Sequence, residues 1–206
     1  MTGAVRDARR KLPAERRGEL LAGAVAIARS EGLSAVTLRR VAADLGVTAG
    51  LVSHYFAAAE MLTAATFRAA AQQDLDAAAA RIDAAATAVD KIHALLDYVL
   101  DDDDGDAGSA LWLETWTLAR RTPALAEVSD ELTEQWITRI TAIVTGGVDA
   151  GEFAISGTAD AVARRLLTLI DGLGSQKVVR AVPAAEVTQI ARTYLRSELR
   201  EITNPR

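Results

Sequence analysis

The chain of 206 residues contains no cysteine, only two histidines and only four prolines. Without cysteine there can be no disulfide framework, no thiolate nucleophile and no cysteine-ligated zinc or iron–sulfur centre. Glycine-rich phosphate loops and paired metal-ligand spacings are also missing, so no cofactor or metal is expected. No apolar run approaches the roughly 18 to 20 residues that would cross a bilayer. The first twenty residues are charged but hold no apolar stretch long enough for a secretory leader, which points to a cytoplasmic protein without a membrane partner. No segment alternates as a strand should. Alanine-rich stretches such as residues 77–80 and 84–86 favour helix throughout, and an all-α fold follows.

Hydrophobic residues make up 50% of the chain and charged residues 25%, a globular balance. Pro13 suits the first turn of a helix whose face is Leu20, Ala24, Ile27 and Ala28, and Gly32 ends it in a left-handed conformation. Thr37 caps a short second helix with Leu38, Val41, Ala42 and Leu45 inward. Gly46 makes the turn, and Thr48 caps a third helix with Leu51, Val52 and Phe56 inward. Residues 59–86, free of Pro and Gly, read as one long helix. Further helices are expected over 91–100, 109–121, 125–149, 158–180 and 184–201, with Gly146 and Gly147 weakening the last turn of the third-last. The acidic run DDDDGD from Asp101 fails as a calcium loop. With Gly105 at its sixth position, Leu100 and Leu111 fall where carboxylates are required. It reads as a solvated loop, unfavourably placed near the preceding helix end.

Ala42, Gly46 and Val52 have the spacing of a helix-turn-helix. A small residue lets two helices cross, a glycine turns between them, and an aliphatic plugs the second into the core. Any helical hairpin can carry that triple, but residues 26–56, AIARSEGLSAVTLRRVAADLGVTAGLVSHYF, extend it. This segment resembles the amino-terminal domain of TetR-family transcriptional regulators at Gly32, Thr37, Val41, Ala42, Gly46, Val47, Thr48, Tyr55 and Phe56. The wording GLVSHYF, with Ser53 where most of that family carries tyrosine, is similar to the choline-responsive BetI-type branch. ALWLETWTLARRTPAL and LIDGLGSQ resemble its carboxy-terminal domain more loosely. Ala58 and Ala59 depart from the pattern, replacing a polar N-cap and a lysine that reaches DNA phosphate.

The resemblance implies a three-helix helix-turn-helix DNA-binding domain over 1–58, with residues 1–13 as a basic arm, followed by a larger helical ligand-binding and dimerisation domain over 59–206. The third helix would enter the major groove of double-stranded operator DNA with Thr48, Ala49, Gly50, Ser53 and His54 near base edges. Ser53 and His54 are the candidate readers, although His54 can equally serve as an intrahelical or phosphate contact. Thr37, Thr48, Tyr55 and the Arg39/Arg40 pair would hold phosphate. Adjacent arginines on a helix cannot point the same way, so one of them is a surface charge or an intrachain ion-pair partner. Arg6, Arg9, Arg10 and Lys11 would either form the arm or remain a solvated tail.

The last two helices, carrying Val162, Leu166, Leu169, Ile170 and Leu173, then Val187, Ile190, Leu195 and Leu199, would form a homodimeric four-helix bundle. Gly172 and Gly174 would allow close approach there. The middle helices would enclose a small-molecule effector. Tyr98, Trp112, Trp116 and Trp136 are either core residues or a cage for a quaternary ammonium, with Asp97, Glu114 or Asp171 as counter-charge. For Asp171 a helix-pairing or capping role at the dimer seam has the stronger case.

The expected activity is therefore that of a repressor released from a palindromic operator by its effector. An effector-independent activator or architectural DNA binder, and a carboxylate-based helical enzyme, are the alternatives. The net charge of −5 is divided unevenly: residues 1–56 carry +4 and residues 57–206 carry −9, so the DNA-facing part is the basic one.

Overall fold

The computed structural model describes residues 12–101 and 105–201. The basic residues Arg6, Arg9, Arg10 and Lys11 lie outside these, as do Asp102, Asp103 and Asp104. Helix α1 (Pro13–Glu31) begins where the Leu12 N–H donates to Glu15 Oε2 at 3.0 Å, and it buries Leu20, Ala24, Val25, Ile27 and Ala28. A 3-10 turn (Leu33–Ala35) leads to α2 (Leu38–Asp44), whose cap Thr37 accepts from the Arg40 N–H at 3.0 Å. Thr48 caps α3 (Ala49–Tyr55) in the same way, accepting from the Leu51 N–H at 3.2 Å. Gly46, at φ +63°, makes the turn between them. Val41 and Val52 are fully buried beside Ala42, so the helix-turn-helix closes as its spacing predicts. Leu45 lies over Gly23 of α1 yet stays 37% exposed, and so covers the crossing only in part.

Helix α4 (Ala59–Asp83) runs through both halves of the molecule. Its stripe Leu62, Phe67, Ala70 and Ala71 belongs to the core of α1–α3, and Leu75, Ala78 and Ile82 belong to the second core. One helix is thereby packed into two cores, which fixes the amino-terminal unit relative to the rest.

Helix α5 (Ala88–Leu96) passes into a π turn (Asp97–Asp101), and α6 (Gly105–Ala119) starts four residues earlier than the sequence suggests. The acidic run is consequently not a solvated loop over its whole length. Asp106 lies in the first turn of α6, where the helix dipole favours a carboxylate, and it pairs at 3.1 Å with the buried Lys177, which also donates to the Leu100 carbonyl at 2.9 Å. Helix α7 (Pro123–Asp149) packs on α4 and on α8 (Ala159–Arg180), and α9 (Ala184–Glu198) lies on α8. Gly146 and Gly147 do not end α7 early, and Gly147 instead leaves room for the ring of Phe153.

One expectation about strands needs correcting. Phe153–Ala154 (β1) pairs antiparallel with Arg200–Glu201 (β2), and this short ladder draws the chain out of α9 at Glu198 rather than at residue 201. Burial of Phe153 anchors it.

At the start of α4, Ala58 has the extended backbone of an N-cap but no side-chain acceptor. Replacing Ala58 with Ser supplies that acceptor and should stabilise the protein by about 0.5–1 kcal/mol, read as a raised midpoint in urea or thermal unfolding.

Candidate DNA-binding surface and effector cavity

The capped ends of α2 and α3 set out one exposed surface. Thr37, Arg39, Thr48, Ala49, Gly50, Ser53 and His54 are exposed, and Tyr55 is half-buried at its edge. Each cap threonine uses its oxygen as an acceptor inside the protein, which leaves its hydroxyl hydrogen to donate outward. The Ser53 hydroxyl donates to the Gly50 carbonyl at 3.2 Å, so its oxygen remains free to accept. His54 meets Tyr55 edge-on, with ring centroids 5.2 Å apart. Behind the helix, the Arg17 guanidinium lies over the Phe56 ring at 5.0 Å and holds the end of α3 against α1.

The arginine pair separates clearly. Arg40 donates to Glu31 at 2.5 Å and to Asp44 at 3.1 Å. Hydrogen bonding to Glu31, and then to Asp44, raises its pKa above the ordinary guanidinium value. It is the intrachain ion-pair partner. Arg39 is exposed with no charged partner among the described residues, and so is the phosphate candidate of the two.

The aromatic candidates of the second half converge. Tyr98, Trp112, Trp116 and Trp136 line one partly open cavity of about 580 Å³ between α4, α6, α7 and α8. The Trp112 and Trp116 rings are 5.9 Å apart, and Phe67 meets Trp112 edge-to-face at 4.9 Å. Of the three proposed counter-charges only Asp171 reaches this space. Asp97 is paired with Arg192 at 2.5 Å, and Glu114 turns away toward Ser34. Asp171 faces the cavity instead. It sits half-buried on the cavity side of α8, and burial pushes its carboxyl up to about 6.

Contacts that sequence reasoning missed connect the cavity to the amino-terminal unit. Arg29 of α1 pairs with Asp74 of α4 at 2.7 Å and donates to the Ala70 carbonyl at 3.2 Å, and both charged residues line the cavity. Glu114 of α6 accepts from the Ser34 N–H at 3.1 Å and its hydroxyl at 3.2 Å. Gly32, at φ +92°, lies beneath that carboxylate, where any side chain would collide with it. These partners are 45 and 80 residues apart in sequence, beyond the reach of any local signal.

The dimer residues need a similar correction. Val162, Leu166, Ile170, Leu173, Val187, Leu195 and Leu199 are all in the chain's own core, which leaves Leu169 half-buried and Ile190 45% exposed. Gly174 faces inward, where an added Cβ would lie 2.8 Å from Ser109 Oγ. Gly172 has nothing within 4 Å.

A capped helix-turn-helix joined through a shared helix to a helical domain with a ligand-sized cavity defines a DNA-binding transcriptional regulator with a sensor half. Comparison with known proteins agrees. Residues 20–66 match the family of bacterial regulatory proteins of the tetR type, and residues 88–200 match the BetI-type transcriptional repressor carboxy-terminal domain. The chain belongs to the TetR family of transcriptional regulators. It is 28% identical over 188 residues to the HTH-type transcriptional regulator BetI of Rhizobium meliloti (strain 1021), covering 90% of each chain. It is 31% identical over 116 residues to BetI of Cronobacter sakazakii, covering 55% of this chain and 57% of the relative. Among solved structures, a transcriptional regulator from Saccharomonospora viridis in complex with choline superposes with a TM-score of 0.79 at 22% identity, over 90% of this chain and 98% of the other. A TetR-family regulator from Cytophaga hutchinsonii reaches 0.80 at 17% identity, over 94% and 100%. These structures share the fold. Among the described residues no helix is long and apolar enough to cross a membrane.

Asp171 has a consequence for stability. With its folded pKa near 6, above the ordinary value of 3.8, the folded chain holds a proton that the unfolded chain has released between those values. Stability should fall as pH rises from about 4 through 6. Asp171→Asn should remove this component and raise stability above pH 7 by roughly 1–3 kcal/mol, measured as urea unfolding midpoints across pH.

Proposed function

We propose that this regulator binds a two-fold symmetric operator as a homodimer and is released when a small molecule enters the cavity between α4, α6, α7 and α8. The observation that carries the reading is the position of α6. It contributes Trp112 and Trp116 to the cavity wall and, through Glu114, holds the 3-10 turn that precedes α2. A ligand that moves α6 therefore moves the platform on which the recognition helix stands. Release requires that the ligand bind the displaced arrangement more tightly than the DNA-bound one.

On DNA, α3 occupies the major groove, with Ser53 and His54 as base readers and Ala49 and Gly50 allowing close approach. Thr37, Arg39, Thr48 and Tyr55 contact phosphate and set the register. Arg40 contributes by orienting α2 through Glu31 and Asp44, rather than as a primary DNA contact. The outer face of α8 and α9 supports pairing of two copies. Val179 of α8 is 66% exposed, Ile190 of α9 is 45% exposed, and the open space at Gly172 lets a symmetry mate approach closely.

Selection of bound duplexes from a random pool should return a two-fold symmetric consensus, with affinity falling steeply as salt rises. Tyr55→Phe should weaken binding to all sequences alike, whereas Ser53→Ala or His54→Ala should alter the consensus itself. An asymmetric consensus or a flat salt response would reject the reading.

The coupling route has its own test. Glu114→Ala removes two hydrogen bonds to Ser34 without touching the cavity wall. It should leave ligand binding within about twofold while reducing the ligand's effect on operator affinity by about fivefold or more, as titrations of DNA binding with and without ligand would reveal.

A further inference from the structure

The turn between α6 and α7 carries two arginines, and contacts along α4 fix how near the helix-turn-helix it stands. A Cβ added to Gly108, near the start of α6, would lie 3.4 Å from Asp74 Oδ2. One turn further on, Trp112 meets Phe67 at 4.9 Å, so α6 runs antiparallel to α4. Helix α7 returns parallel to α4, with Glu131 bound to Arg68 at 2.6 Å and Arg139 to Asp83 at 3.3 Å. At a rise of about 1.5 Å per residue, Trp112 to Ala119 on α6 and Phe67 to Glu60 on α4 cover the same length, about 10 Å. The α6–α7 turn is therefore level with the first turn of α4. Core packing agrees, since Leu118, Ala119 and Leu125 join Leu62 in the core of α1–α3. Only residues 56–58 separate this start of α4 from the last residue of α3.

Arg120 and Arg121 are exposed at that level, and neither has a carboxylate or hydrogen-bond partner among the described residues. Acidic side chains close to them in sequence are engaged elsewhere. Glu114 holds Ser34, Glu131 holds Arg68, and Glu127 lies in the field of the same Arg68 guanidinium. Two adjacent uncompensated cations stand out in a half of the chain whose net charge is −9. They are also presented on a defined backbone. The Arg121 N–H donates to the Leu118 carbonyl at 3.0 Å, the Thr122 N–H donates to that of Ala119 at 3.2 Å, and Pro123 opens α7. The start of α4 beside them has no positive charge of its own, because no Lys or Arg occurs from Ala57 to Phe67. Free guanidinium groups with fixed backbones, level with the end of a recognition helix, suit the phosphates of the duplex that helix enters.

We propose that Arg120 and Arg121 form a second contact with operator DNA, made to the phosphate backbone by the sensor half rather than by the helix-turn-helix. The proposal rests on the operator-binding reading above. The pair adds affinity and salt dependence and reads no sequence, because phosphate is the same at every base step. A purely structural role is the competing account, since cations just beyond the end of α6 also favour its dipole.

The test compares the full-length wild type with two double variants, R120Q/R121Q and R120K/R121K, on the duplex selected by the wild type. R120Q/R121Q should bind about tenfold or more weaker, and its log–log salt dependence should be shallower by about two for a dimer that loses one phosphate contact per protomer. Its selected consensus should be unchanged. Ethylation interference should disappear at one or more phosphates in each half-site, whereas R120K/R121K keeps both the interference and the salt slope. Thermal unfolding of the free proteins separates the structural account.

A salt slope and interference pattern unchanged in R120Q/R121Q would overturn the proposal, whether or not the unfolding midpoint falls. An altered consensus in that variant would overturn it too, since a phosphate contact carries no sequence information. Wild type that shows no salt-dependent binding to any duplex rejects the operator reading itself, and the proposal with it. Wild type that binds normally beside an unaffected variant rejects the proposal alone.

Discussion

The two hydrophobic cores meet at an indole as well as along α4. Trp112 is the one partly buried hydrophobic residue among those described that packs against both cores, meeting Phe67 of the amino-terminal core edge-to-face while its own ring forms part of the cavity wall. Interiors packed to crystal-like density transmit a displaced ring to its neighbours rather than absorbing it. Phe67 is itself almost fully buried on α4, the helix that runs through both cores. A ligand in the cavity and the recognition helix on DNA are thus separated by a short sequence of close contacts: Trp112, Phe67, α4, and the stripe of Leu62, Ala70 and Ala71 under α1. No long chain of intermediaries is required.

Polar contacts supplement this apolar route where the two halves meet. The Arg29–Asp74 pair and the Glu114–Ser34 hydrogen bonds both cross from the helix-turn-helix unit to the rest of the protein. They differ in how ligand can affect them. Arg29 and Asp74 line the cavity and feel a bound charge directly, whereas Glu114 lies outside it and responds only to motion of α6. Hydrophobic contact thus fixes how far the parts sit from one another, and the directional contacts fix their relative rotation. Rotation is the more consequential quantity for a dimer on DNA, since a small turn at the base of α4 is amplified across the distance between two recognition helices.

The helix-turn-helix was legible because its signals are local. Thr37 and Thr48 cap helices three residues ahead of the N–H groups they accept from, Gly46 turns within a single residue, and Val52 needs only the spacing of one helix to find the core. The aromatic cluster was legible as an inventory, although only the fold could show that Tyr98 and the three tryptophans share one wall. What escaped depends on contacts distant in sequence. Which of Arg39 and Arg40 is held by the protein depends on Glu31 in a different helix. Gly172 and Gly174 look equivalent in LIDGLG, and only the position of α6 makes one an intrachain contact and the other an open surface. Asp171 was visible as a charge in an apolar stretch, but its side of α8 was not. The partner of Asp106 in the first turn of α6 is Lys177, 71 positions further on, so no local signal could announce it.

The same features bear on how strongly such a regulator must hold its operator. Ala58 and Ala59 stand where related sequences place a cap and a lysine, and Arg40 is committed to Glu31 and Asp44, so the surface around α3 has few fixed cationic donors. Each phosphate contact forgone lowers affinity and makes it less steep in salt. Weak contacts also lower the demand on the effector. To shift occupancy tenfold, a ligand must favour the released arrangement by about 1.4 kcal/mol, and every further tenfold in operator affinity adds the same amount again.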